Sequence, residues 1–292
     1  MKVGLQLYLG GESGSPEFVS AAAKAIEERG FHEIWLAEHI VLFPKIESKY
    51  PYSADGSFPF DPKLPPLEPF TAMAFMAAHT KTVRLATGVS VLPQRNPIFA
   101  AKQAADVDVL SGGRLDYGIG AGWCLEEIQT LGTATERRGA RTDDYIRLMK
   151  KLWTEELIEH DGEFYSVPPC HTSPKPVQTP HPPLYIGGNT KAAMRRVARL
   201  GDGWFSAAIS PEQFTEGLAA LQEICAAEDR LPSDIRLAVG PPNGKASLDM
   251  VKAYADAGAD QVVLALTGRN IDRFMARLDE FAEQLVVPAA AM

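Results

Sequence analysis

Short aliphatic or β-branched runs recur along the chain, each followed by an amphipathic helical pattern, the order expected of βα units around a parallel sheet. In the first run, Lys2 to Tyr8, the residues Val3, Leu5 and Leu7 alternate with Gly4, Gln6 and Tyr8. Pro16 starts the helix that follows and Gly30 ends it. Seven more strands are predicted, over 33–37, 83–91, 114–119, 184–187, 203–207, 235–239 and 261–266. Between them, a helix near 68–79 leads into the third strand, and Asn96-Pro97 supplies a cap and first-turn proline for the helix after it. Tyr145, Leu148, Met149 and Leu152 fall at i, i+3, i+4 and i+7, and Ile271, Phe274, Met275, Leu278 and Leu285 repeat a helical spacing near the end. Eight such units in 292 residues predict an α/β fold, a (β/α)8 TIM barrel forming a single domain over 1–292.

Two stretches interrupt the alternation. Residues 40–67 are too long to be an idle connection, and in a barrel they lie on the active face. Residues 168–183 hold Pro168, Pro169, Pro174, Pro176, Pro180, Pro182 and Pro183, too many missing N–H donors for a helix or central strand. Insertions are therefore expected after strands two and four. A doubly wound open sheet is the rival, but Leu9-Gly10-Gly11-Glu12-Ser13-Gly14 lacks the glycine spacing of a dinucleotide turn.

Composition narrows the partners. With 46% hydrophobic and 23% charged residues the chain is an ordinary globular one. The net charge of −8 comes with no Lys/Arg stripe, which counts against nucleic acid. Cys124, Cys170 and Cys225 form no CxxC or Cys/His spacing, so neither a disulfide framework nor a metal site is expected. No apolar run reaches the roughly 18 residues of a membrane helix. The first fourteen residues do not have the pattern of an export signal, and a cytoplasmic protein acting on a small molecule is the expectation.

Chemistry in such a barrel sits at strand C-termini and in the loops after them. Four motifs fall there. Glu38 and His39 end the second strand, and histidine's near-neutral pKa suits proton exchange with a reacting group; the plainer role is loop anchoring. Thr87 to Pro97, with Gly88 and Ser90 inside a β-branched run, suggests a bulge or the close approach of a flat ligand, or simply an adapted twist. Gly118, Gly120 and Gly122 precede Trp123 without a P-loop lysine, so they suit a ring system better than a triphosphate. Gly187, Gly188, Asn189 and Thr190 end the fifth strand at a helix start, a seat for phosphate or an ordinary turn. Arg137, Arg138 and Arg141 read more simply as a solvated helix start, and adjacent Glu126 and Glu127 point apart. Cys124 reads as a buried thiol, and no GxSxG elbow is present. No strand ends in a Schiff-base lysine.

Together these residues resemble the luciferase-like monooxygenase family, in its branch using the deazaflavin coenzyme F420. The resemblance rests on Glu38-His39, Asn96-Pro97, Ala101-Lys102-Gln103, the run from Leu110 through Gly112-Gly113-Arg114 to Gly122-Trp123, Glu136-Arg137-Arg138-Gly139, Pro174-Lys175-Pro176-Val177-Gln178, Pro182 to Gly188, and Gly201-Asp202-Gly203-Trp204. It implies an oxidoreductase passing a hydride between F420 and an organic substrate. His39, with Glu38 beside it, would lie by the reactive carbon. A non-proline cis peptide at Ser90-Val91 would press on the ring, Gly118, Gly120, Gly122 and Trp123 would flank it, and Gly187 to Thr190 would hold the phosphate. The family's sugar-phosphate dehydrogenases carry a catalytic Glu where this chain has Trp123, leaving Glu38, His39, Tyr8 or water as proton donor. Alternatives are a monooxygenase using reduced flavin mononucleotide (FMN) and oxygen, or a barrel that binds cofactor without turnover. Tyr50, Tyr52, Phe58 and Phe60 in the 40–67 segment suggest an aromatic lid, and Trp153 or Phe281 a homodimer face.

Overall fold

The computed structural model describes residues 1–292. The chain begins with β1 (Lys2–Leu7), α1 (Pro16–Glu28), β2 (Glu33–Leu36), α2 (Pro69–His79), β3 (Arg84–Thr87), β4 (Ser90–Val91) and α3 (Pro97–Ser111). It continues through β5 (Leu115–Gly120), α4 (Leu125–Thr130), α5 (Arg138–Thr154), β6 (Ile158–Asp161) and β7 (Ser166–Cys170). The last third holds β8 (Leu184–Gly187), α6 (Lys191–Leu200), β9 (Gly203–Ser206), α7 (Pro211–Ala227), β10 (Arg236–Val239), α8 (Leu248–Asp256), β11 (Gln261–Leu266) and α9 (Ile271–Phe281). All pairings in the main sheet are parallel, in the cyclic order β1, β2, β3, β5, β8, β9, β10, β11, with β11 returning to β1. Strand β4 continues β3 after a two-residue break and pairs with β5 at Ser90↔Ile119, so the barrel has eight staves.

Local chemistry accounts for the punctuation. Ser15, Glu68, Asn96, Thr190, Ser210, Ser247 and Asn270 each accept a backbone N–H at a helix start, and α7 adds a full capping box with Gln213. Helix α3 stops where Gly112 turns left-handed at φ 68°. Apolar side chains between strands and helices form one large core, while Trp35, Ala86, Tyr185, Phe205, Ala238 and Val263 fill the barrel's own interior. Trp35 lies against Phe205 with ring centres 4.7 Å apart and meets Tyr185 edge-on at 5.4 Å.

The segment 40–67 has no helix or strand and is fastened to the β1–α1 loop by Leu67 N–H to the Leu9 carbonyl and Tyr8 OH to the Leu64 carbonyl. The proline-rich insertion differs from expectation in one respect. Pro168 and Pro169 lie in β7, which pairs antiparallel with β6 alone, and such a two-stranded edge tolerates the missing donors. Further on, Asp108 accepts the N–H groups of Val177 and Gln178, and the Gln178 amide donates to the Leu115 carbonyl, tying the insertion to the barrel's lower rim. No helix is long and apolar enough to cross a membrane.

At that lower rim, burial together with Lys2, Arg84 and Arg236 pushes the His32 imidazolium down from 6.5 to about 4. An unfolded chain takes up a proton near pH 6.5 that the folded chain refuses until pH nears 4, so stability should fall as pH falls through that window. Urea midpoints measured across it should show a shallower decline in His32→Asn than in the wild type; equal slopes would contradict the assignment.

Candidate functional site

The four motifs end β2, β3/β4, β5 and β8, which are consecutive staves, so they form one continuous arc of the C-terminal mouth. His39 stands at the start of that arc, 7% exposed. Its Nδ1 lies 2.8 Å from Glu127 Oε2, and Glu127 Oε1 accepts the N–H groups of Ile40 and Val41 at 2.6 and 3.2 Å. A carboxylate at Nδ1 favours the tautomer with the proton there, leaving Nε2 as the ring's acceptor nitrogen. The ring is held edge-on by Phe58 at 4.9 Å and Trp123 at 5.7 Å.

Glu38 and His39 part company. Glu38 turns inward, where its carboxylate accepts from Ser90 Oγ (3.0 Å), Val91 N (3.0 Å), Gln94 Nε2 (3.1 Å) and Arg95 Nε (2.9 Å) and Nη2 (2.5 Å). Five donors thus saturate its carboxylate. Ser90 is fully buried with its hydroxyl on Glu38. The non-proline cis peptide is Gly88–Val89, not Ser90–Val91. It occupies the break between β3 and β4, where Gln6 Nε2 donates to the Gly88 carbonyl at 2.5 Å.

The glycines of β5 have a packing reason of their own. A Cβ on Gly118 would collide with the Thr87 carbonyl oxygen, one on Gly120 would lie 2.6 Å from Val89 Cγ2, and one on Gly122 2.6 Å from Val91 Cγ1. Gly187 would meet Val89 from the other side at 2.8 Å. Their missing side chains thus make room on β5, on the turn after it and on β8 for the Val89 and Val91 side chains of the bulged third strand. Trp123 packs on Tyr50 and Phe58, with ring centres 5.1 and 5.4 Å away.

Beyond Gly188, at φ 116°, Asn189 donates to the Ala207 carbonyl and Thr190 Oγ1 caps Ala193 N–H. The N–H groups of Lys191 and Ala192 have no intrahelical partner and the Thr190 hydroxyl donates to no protein group, a suitable seat for an anion. Of the arginines near it, Arg137 pairs with Glu163, Arg141 lies over Phe164 and Arg196 pairs with Asp143. Arg138, like Arg141, keeps no carboxylate partner; its Nε donates to the Gly122 carbonyl at 3.2 Å, which sets its guanidinium beside the glycine turn. Arg138 and Glu127 are the residues that sequence reading passed over. The arginine cluster at 137–141, and an acid in the first turn of the helix after the glycine turn, are the only signals the sequence carries for them.

Two other proton carriers recede. Tyr8 donates to Leu64 O, and burial, then Glu127 and Asp61, hold its phenol well above the usual range. Burial likewise pushes the Cys124 thiol up to about 11. No cluster of three His, Cys, Asp or Glu is arranged for a metal.

Several known proteins share this architecture and sequence. An uncharacterized protein of Mycobacterium tuberculosis (strain H37Rv) is 32% identical over 288 residues, 98% of this chain and 99% of its own. The FMNH2-dependent dimethylsulfone monooxygenase of Pseudomonas putida is 33% identical over 129 residues, 43% of this chain and 36% of its own. The coenzyme F420-dependent tetrahydromethanopterin reductase from Methanopyrus kandleri superposes with a TM-score of 0.73 over 98% of both chains at 13% identity, a likeness of fold. Residues 3–242 match the luciferase-like monooxygenase family, and the chain belongs to it.

Proposed function

We propose that the protein is an oxidoreductase that holds the deazaflavin F420 at the barrel mouth and passes a hydride between it and an organic substrate. The observation that carries this reading is the fixed His39–Glu127 pair on a contiguous arc that ends in an anion seat. The residues fit the group chemically: aromatic Trp123, Phe58 and His39 for a ring, Arg138, Thr190 and the α6 N-terminus for a phosphate. When bound, the deazaflavin supplies the hydride-accepting or hydride-donating carbon. The protein's task is then to orient that ring, exclude water with the 40–67 segment, and deliver or take a proton at His39 Nε2. With Glu38 saturated, Tyr8 raised and Trp123 in the place of a carboxylate, His39 is the side chain left to this task. A second reading, a monooxygenase using reduced FMN, is favoured by the 33% local identity to an FMNH2-dependent enzyme.

Fluorescence titration of the apo-protein with F420 and with FMN tests both. F420 should bind, Gly188→Trp should abolish binding by filling the turn, and Arg138→Ala should weaken it roughly 10-fold through loss of a charge-assisted contact. Tighter binding of FMN would transfer the assignment to the monooxygenase, and binding of neither would overturn both.

A further inference from the structure

The arc of four motifs leaves the opposite side of the mouth unexplained. There, between the β1–α1 loop, the lid and the loop after β11, lies a cavity of about 290 Å³. Since a cavity of roughly 150 Å³ accommodates benzene, this one has room for a substituted ring. Its walls include Tyr8 and Phe60, whose rings stack in parallel with centres 4.0 Å apart. Phe58 leans on Phe60 at 5.4 Å and on His39 at 4.9 Å, so a continuous aromatic wall runs from the cavity to the imidazole.

The cavity is also charged. Arg269 lines it, exposed at the rim, and like the exposed Arg147, Arg195 and Arg273 elsewhere on the surface it has neither a carboxylate within 4.0 Å nor a side-chain hydrogen bond to the protein, whereas the other 12 arginines are held by carboxylates, carbonyls or rings. Asp61, on the lid side, is engaged by the Lys63 N–H. Thr267 adds a hydroxyl beside Arg269. An unpaired guanidinium next to a flat aromatic wall is complementary to a planar anion, because its fork matches a carboxylate while the rings cover the apolar face.

We infer that this cavity is the substrate subsite and that it takes an aromatic carboxylate, its ring against the Tyr8–Phe60 wall and its carboxylate on Arg269. The inference rests on the oxidoreductase reading above for calling the ligand a substrate. Arg269 determines specificity from a distance: it touches the anchoring end of the molecule, while Phe58 separates that end from the His39 imidazole. The 40–67 segment and the loop after β11 both contribute to its lining.

Ligand-detected NMR titration of the full-length protein with benzoate and with benzyl alcohol, its neutral counterpart, tests this without a cofactor. Benzoate should bind more tightly than benzyl alcohol, and Arg269→Ala should weaken benzoate about 10-fold while leaving benzyl alcohol unchanged. Arg269→Lys should restore part of the loss, and Phe60→Ala should weaken both probes by removing the wall. Benzoate binding that is indifferent to Arg269, or absent, overturns the proposal. So does binding lost in Arg138→Ala but kept in Arg269→Ala, which would place the carboxylate at the phosphate seat. Cofactor binding without Arg269-dependent benzoate binding overturns the substrate class and leaves the oxidoreductase reading standing; the converse result supports the subsite and removes the redox reading.

Discussion

Replacing Arg95 with Met is expected to lower the unfolding free energy by about 3–5 kcal/mol, because it leaves the Glu38 carboxylate buried with no counter-charge. Arg95 is the hub of the mouth's foundation. Its Nη2 reaches both Glu38 and Glu68 at 2.5 and 2.6 Å, its Nη1 reaches Gln103, and its guanidinium lies 5.0 Å from the centre of the Phe70 ring. Through these contacts the end of β2, the start of α2 and the helix after the third strand are joined. The Arg95→Met, Glu38→Gln double variant should recover part of the loss, since the stranded charge is gone. Equilibrium urea unfolding of the three proteins measures this. A single variant within about 1 kcal/mol of the wild type would mean that Glu38 is neutral or solvated, and that the anchor described above is absent.

The coupling matters for function because His39 follows Glu38 directly. In an extended chain the two side chains point to opposite faces, so a firmly anchored Glu38 dictates which way His39 looks. The same alternation explains why two adjacent residues reach different partners, Glu38 the Ser90–Arg95 cluster and His39 the Glu127 carboxylate.

How far the chain could be read follows from the range of the forces involved. Period-two runs such as Val3, Leu5 and Leu7 and caps such as Asn96 are local, and the eight staves fall where the pattern places them. Pro168 and Pro169 exclude a central strand but leave an edge hairpin open, so β6 and β7 were not legible. The stretches that carry the family resemblance include residues whose duties are internal. Arg114 donates to carbonyls of Ser111, Val83, Ala77 and Thr80, and Lys175 to those of Leu152 and Glu155, closing the ends of neighbouring elements. Gln178 and Asp202 do similar work, Asp202 by accepting the Leu184 N–H. Such roles depend on closure of the barrel, which periodicity does not encode. The position of the cis peptide, two residues before the expected pair, is likewise a property of how β3 breaks against β5 and β8.

Glu127 is the clearest case, 88 positions from His39 and adjacent to an acid that faces elsewhere. Glu127→Ala is expected to cost about 3–5 kcal/mol, since it leaves the N–H groups of Ile40 and Val41 and the Nδ1–H of His39 without their acceptor in a region where Glu127 itself is 1% exposed. Unfolding by urea reads the energetic part. The chemical part is read by nitrogen NMR of the imidazole: wild-type His39 should carry its neutral-form proton on Nδ1, and the variant should move it toward Nε2, which converts the mouth-facing nitrogen from acceptor to donor. Glu127→Gln separates the two effects. Its amide oxygen retains an acceptor for Ile40 and Val41, so stability should fall by only about 1 kcal/mol, while the charge that stabilises an imidazolium is lost. If the proton already resides on Nε2 in the wild type, His39 enters the reaction as a donor in its neutral form, and Glu127 is a strut of the lid rather than the residue that sets the base.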